Sequence, residues 1–165
     1  MSSSWPPRNA VSLRQSIEPL AEWVRNPPSQ RTDDEKMWLV RFFLVTCGHL
    51  EQVVFECARA YIDGKSGGPV RVFSQSWIVR TKNPSPDNIL SLAGRFGGDF
   101  EARLKDLLEA DDQRLHRELS LLVNRRHQIA HGLNEGLTGS KAVMLYECAL
   151  EVADWFLENL NPNHR

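Results

Sequence analysis

The sequence is poor in the features that mark many protein classes. Only three cysteines occur in 165 residues, Cys47, Cys57 and Cys148, and none forms a C-x-x-C pair. Cys47 and Cys57 fall on one expected helix, where ten residues of rise is about 15 Å, too far for a bridge. A scattered, odd set reads as reduced thiols in a reducing compartment and argues against a disulfide-stapled scaffold. There is no basic excess. Lys and Arg number 20 against 21 Asp and Glu, a formal net charge of −1. That excludes a protein that coats duplex nucleic acid by charge alone, although not a local basic site.

Long apolar runs are also missing. The most apolar stretch, residues 37–47, is interrupted by Arg41 and is shorter than a membrane span. The opening MSSSWPPRN lacks the apolar centre of a signal peptide. No Gly-rich phosphate loop, zinc-ligand spacing, readable Ser-His-Asp order or internal repeat is present. The expectation is a soluble cytoplasmic protein without membrane attachment, cofactor or metal.

What is present is ordinary globular composition, 41% hydrophobic and 25% charged. A chain this long buries enough surface to fold without a staple. Residues 1–8 read as a disordered leader and 9–165 as one helical domain. Ala10, Leu13, Ile17, Leu20 and Val24 recur at helical spacing, with Pro19 expected to kink or start that helix. After NPPSQ, Thr32 and Glu35 form a capping box ahead of a long helix over 33–63. Val40, Phe43, Leu44, Cys47, Val54 and Ala58 should line one face of it. Residues 70–82 are expected to be irregular or a short helix. Ser85-Pro86 opens another helix, followed by one over 100–110. Asp111 or Asp112 should cap the helix from 113 to 131, which ends at Gly132. A last helix covers 140–160. The fold class is all-α, an up-and-down bundle of five to six helices.

The informative segment is LLVNRRHQIAHG, residues 121–132. Leu115, Leu119, Leu122 and Ile129 form an apolar stripe, and its missing member is Arg126. Arg126 thus points along the seam, whereas Arg125 lies about 100° around the helix and should be more exposed. A guanidinium in an apolar seam is costly unless paired or used. Glu51, in the seam of Cys47, Val54 and Ala58, is the natural partner. His127 and His131 are four apart and share one face at the helix end. A fixed cation beside a residue of adjustable charge suits chemistry at a phosphate. A structural ion pair for Arg126 and a terminal His satisfying late carbonyls are the plainer alternatives. A two-His metal face lacks a third ligand. Arg114, Arg117, Arg125 and Arg126 gather on this helix, opposite an acidic 101–112 segment, and could make a positive cleft. Arg71, Arg80 and Lys82 could extend it. Trp5, Trp23, Trp38 and Trp155 read as packing or dimer contacts, and Trp77 less readily as a base-stacking platform.

Arg126, His127 and His131, within RRHQIAHG, resemble the Arg-polar-spacer-His signature of the HEPN superfamily. The pair Leu50-Glu51 on an early long helix, the L-V-x-x-R-[NH]-x-I-A-H-G pattern and a closing amphipathic helix are similar to its RiboL-PSP branch, over about residues 35–160. The resemblance implies metal-independent RNA cleavage, with His131 (and His127) aiding attack by the ribose 2′-OH and Arg126 steadying the phosphorane. Glu51 and Arg125 would be supporting residues. It further implies a homodimer sharing one cleft, an RNA substrate, and a role as a toxin or antiviral defence effector with an antitoxin or other protein partner. The alternative is a non-catalytic module binding RNA, nucleotide or protein.

Overall fold

The computed structural model describes residues 5–27, 34–78, 83–132, 136 and 138–164. Among them are six helices and no strand, as an all-α bundle requires. The first, α1 (Arg8–Arg25), buries Ala10, Ile17 and Val24 of the expected stripe together with Ala21, while Leu13 and Leu20 are only partly buried. It neither starts at Pro19 nor stops there. Pro19 is exposed within the helix, its ring turned to solvent. Trp5, inside the segment read as a leader, packs against the core and donates its indole N–H to Leu157 O at 3.1 Å.

The central element is α2 (Asp34–Lys65). Phe42, Phe43, Cys47, Leu50, Val53, Val54, Cys57 and Ala58 are all buried along it. Each large side chain of this kind contributes about 1.5–3 kcal/mol of transfer free energy. Leu44, expected on the same face, is instead 38% exposed. Thr32 of the expected capping box lies outside the described residues. The stretch Glu35–Lys65 is apolar and long enough, by length and composition, to cross a membrane, but 50% of its most apolar window is buried inside the bundle. The apolar character therefore extends well beyond residues 37–47 and belongs to a core helix.

Residues 68–78 resolve as α3 (Gly68–Ile78), and α4 (Pro86–Gly94) follows. Ser85 caps α4 as expected, its hydroxyl accepting from Asn88 N, with Pro86 at the first helical position. Next, α5 (Gly98–Ala130) is two helical segments joined through non-helical residues 110–113. Neither Asp111 nor Asp112 acts as the expected extended cap. Both, with Gln113, lie in the left-handed region at φ of 51°, 57° and 58°. The last helix, α6 (Gly139–Asn159), is capped by Thr138, whose hydroxyl accepts from Lys141 N.

Side-chain pairs fix the helix directions. Asn9 meets Glu56 while Trp23 meets Trp38, so α2 runs back along α1. Arg14 pairs with Asp154 and Tyr146 with Glu18, so α6 also opposes α1. Arg114 meets Glu151 and Lys141 meets Glu118, so α5 opposes α6. It follows that α2 and α6 are parallel and α5 is antiparallel to both. The C-terminal end of α5 therefore lies beside the N-terminal half of α2.

Candidate active site

The second segment of α5 carries the site. Leu115, Leu119, Leu122 and Ile129 are buried, and Arg126 occupies their register. Its side chain is too long and too polar to stay in the core, so it follows the seam outward and leaves 40% of itself exposed. There Arg126 Nη1 donates to Glu51 Oε2 at 2.9 Å, with Glu51 36% exposed. This is the pairing the α2 register predicted, but at the rim of the core and not inside it. Arg125 is half-buried, in the same broad class as Arg126. It donates to Gln128 Oε1 at 3.2 Å.

Both histidines are exposed on the last turn, their rings edge to face with centroids 4.6 Å apart. His131 caps α5, its backbone N–H donating to Gln128 O and His127 O, and Gly132 follows at φ +79°. A left-handed Gly here ends the helix as the sequence indicated. The arrangement places a partly tethered guanidinium and two imidazoles along one end of one helix. A guanidinium has five N–H donors, so one bond to Glu51 leaves donors for an anion.

The nearby thiol sits in an environment that disfavours its thiolate. Cys47 is buried beneath this site, and burial pushes its pKa up, against the opposing pull of the Arg126 charge. A reactive cysteine needs the opposite balance. Cys57 is buried elsewhere on α2 and pushed up to about 12 for the same reason.

Two of the arginines that could line a basic cleft on α5 have acidic neighbours. Arg114 is bonded to Glu151 at 2.7 Å, and Arg117 lies 3.6 Å from Glu118. Arg71 turns back to the carbonyls of Asp63 and Ser66. Arg80 and Lys82 lie outside the described residues. Of the tryptophans, Trp23 and Trp38 pack together at 5.6 Å, and Trp155 packs on Phe156. Trp77 is 51% exposed beside Phe73 and beneath Arg95.

Two features escaped the sequence reading. Glu118, on the motif helix, is a buried carboxylate bonded to Lys141 at 2.9 Å. Its place in the helix, one residue before Leu119, was the available signal. The other is an exposed apolar stripe on α3, Val70, Phe73 and Trp77, beside a cavity of about 400 Å³ against α4. Its i, i+3, i+7 spacing was legible once the segment was taken as helix.

A family model described as RiboL-PSP-HEPN matches residues 13–158. The chain belongs to that family. The match runs from α1 to the last turn of α6, so this RiboL-PSP-HEPN domain includes all six helices together with Glu51, Arg126, His127 and His131. No curated protein and no solved structure matches the chain.

Proposed function

We propose that this RiboL-PSP-HEPN domain is a metal-independent endoribonuclease. Its observation of weight is the exposed His127–His131 pair at the end of the helix whose Arg126 is tethered, but not consumed, by Glu51. In the reaction a histidine, His131 first and His127 as its neighbour, accepts the proton of a ribose 2′-OH. The 2′-oxygen attacks the adjacent phosphorus, and the bond to the 5′-oxygen breaks. That oxygen leaves with a proton as a 5′-OH, and the other fragment ends in a 2′,3′-cyclic phosphate. Arg126 spreads two donors over the non-bridging oxygens as negative charge gathers there. Glu51 and Arg125 support the motif helix and its guanidinium.

The exposed motif in one chain also fits a homodimer in which two copies line one cleft. A toxin or defence role in the cytoplasm, held in check by an antitoxin or other protein, is part of the same reading. One contact favours the competing reading, binding without cleavage: Glu51 already occupies Arg126 Nη1. End-labelled RNA incubated with pure protein in EDTA decides between them. Cyclic-phosphate and 5′-OH ends are expected. Intact RNA, or cleavage only with a divalent ion, would overturn the catalytic reading. Light scattering at micromolar concentration should give a dimer, and a monomer would remove the shared cleft.

A further inference from the structure

The face of α2 that carries Glu51 continues in both directions. Met37, Arg41, Leu44, Gly48, Glu51 and Phe55 recur at steps of four and three, so they form one stripe. None of the six is buried; Met37 is 61% exposed and Arg41 is also exposed. Because α5 is antiparallel to α2 and Arg126 meets Glu51, the residues of α5 after Arg126 run beside the residues of α2 before Glu51. Gly48 lies about 4.5 Å along α2 from Glu51, and Arg41 about 15 Å.

Gly48 stands out because nothing among the described residues requires it. It sits within a 32-residue helix, and after proline glycine is the poorest helix former. A mid-helix glycine is often kept where a second backbone packs close. Here a Cβ would meet nothing within 4 Å among the described residues. The surface above Gly48 is therefore open, among the described residues, to the close approach of a second chain. Arg41 is the second observation. Its guanidinium lies over the Trp38 ring, 5.5 Å from the centroid, and no acidic group pairs with it among the described residues.

We infer that this stripe is a binding track for the RNA strand flanking the scissile phosphate, an inference that rests on the endoribonuclease reading. Gly48 lets the sugar–phosphate chain lie against the α2 backbone beside Arg126 and the histidine pair. Arg41, steadied on Trp38, takes a phosphate farther along the strand. An apolar protein face laid over the stripe would cover Arg41 without a counter-charge, which is costly. A phosphodiester supplies that charge.

The test uses the whole protein and a fluorescent RNA whose cleavage-site 2′-OH is replaced by hydrogen, so that binding is read apart from cleavage. Gly48→Ala should raise Tm by about 2–4 °C, because alanine is the better helix former and has room. The same variant should weaken RNA binding about tenfold at unchanged oligomeric state. Arg41→Gln should weaken binding and lower the salt slope by about 0.7, the loss of one single-strand phosphate contact. Val70→Ala, on α3, should change neither. Wild-type affinity in both variants, with wild-type protein that binds and cleaves, would overturn the track alone. A Gly48→Ala protein that changes oligomeric state would assign the close neighbour to a second copy and overturn it too. Wild-type protein that binds no RNA would sink the ribonuclease reading together with the track.

Discussion

Arg126 and Glu51 are 75 positions apart in sequence and meet at 2.9 Å, one from the motif helix and one from the central helix. Both remain more than a third exposed. A pair so placed orients a side chain more than it stabilises a fold, because water screens it. It holds the guanidinium at the edge of the site while leaving donors for another anion.

Glu51→Gln should therefore change the unfolding free energy by less than about 1 kcal/mol. A fully buried pair would lose about 3–5 kcal/mol when broken. RNA cleavage should fall more clearly than stability, since Arg126 loses its charged anchor. Urea unfolding and single-turnover cleavage on the same preparations check this. A large stability loss with unaltered cleavage would make the pair purely structural.

His131→Ala and Arg126→Ala should each lower the cleavage rate by about 10²- to 10⁴-fold, the span typical of a lost proton-transfer group or transition-state cation. Arg126→Lys should not restore it, because a point charge cannot span two phosphate oxygens. Arg125→Ala should do much less, since that guanidinium engages Gln128 on its own helix. Equal losses at Arg125 and Arg126 would contradict these roles.

Lys141→Met tests the buried carboxylate on the motif helix. Glu118 is buried and bonded to Lys141, with Arg117 3.6 Å away as a weaker neighbour. Removing the lysine strips a charged partner from a carboxylate with little access to water. The expected loss is about 1–3 kcal/mol by denaturant titration. An unchanged midpoint would mean that Arg117 takes over the contact.

His49 should make the fold acid-sensitive. It is 4% exposed within α2, and burial, with the nearby Arg14 charge and against the weaker pull of Asp154, lowers its pKa from 6.5 to about 4. Between those values the unfolded chain binds a proton that the folded chain does not, so stability rises with pH. The contribution is fully present above pH 6.5 and is lost as pH falls toward 4, about 3 kcal/mol in all. Urea titrations at several pH values should show this slope in wild type and a flatter one in His49→Leu. Identical slopes would remove His49 from the account.

Much of this architecture was legible because helices write their periodicity into sequence. The helix carrying Ala10, Ile17 and Val24 on its buried face, the Ser85-Pro86 start and the Gly132 stop each depend on neighbours within one or two turns, and each appears in the structure. The seam register around Arg126 belongs to the same class, as does the short list of carboxylates able to face it.

Tertiary structure decided the rest. It decided that Leu44 is exposed, because the neighbours of α2 cover Phe43, Cys47, Val54 and Ala58 but leave that position open. It gave Asp111, Asp112 and Gln113 a left-handed backbone, where local preference alone points to an aspartate cap. It paired Arg114 with Glu151, a partner that counting charges along one helix does not reveal. Above all, it set the depth of the Arg126–Glu51 pair. Helical phase determines which way a side chain points, but the distance from there to water depends on what the other helices place around it.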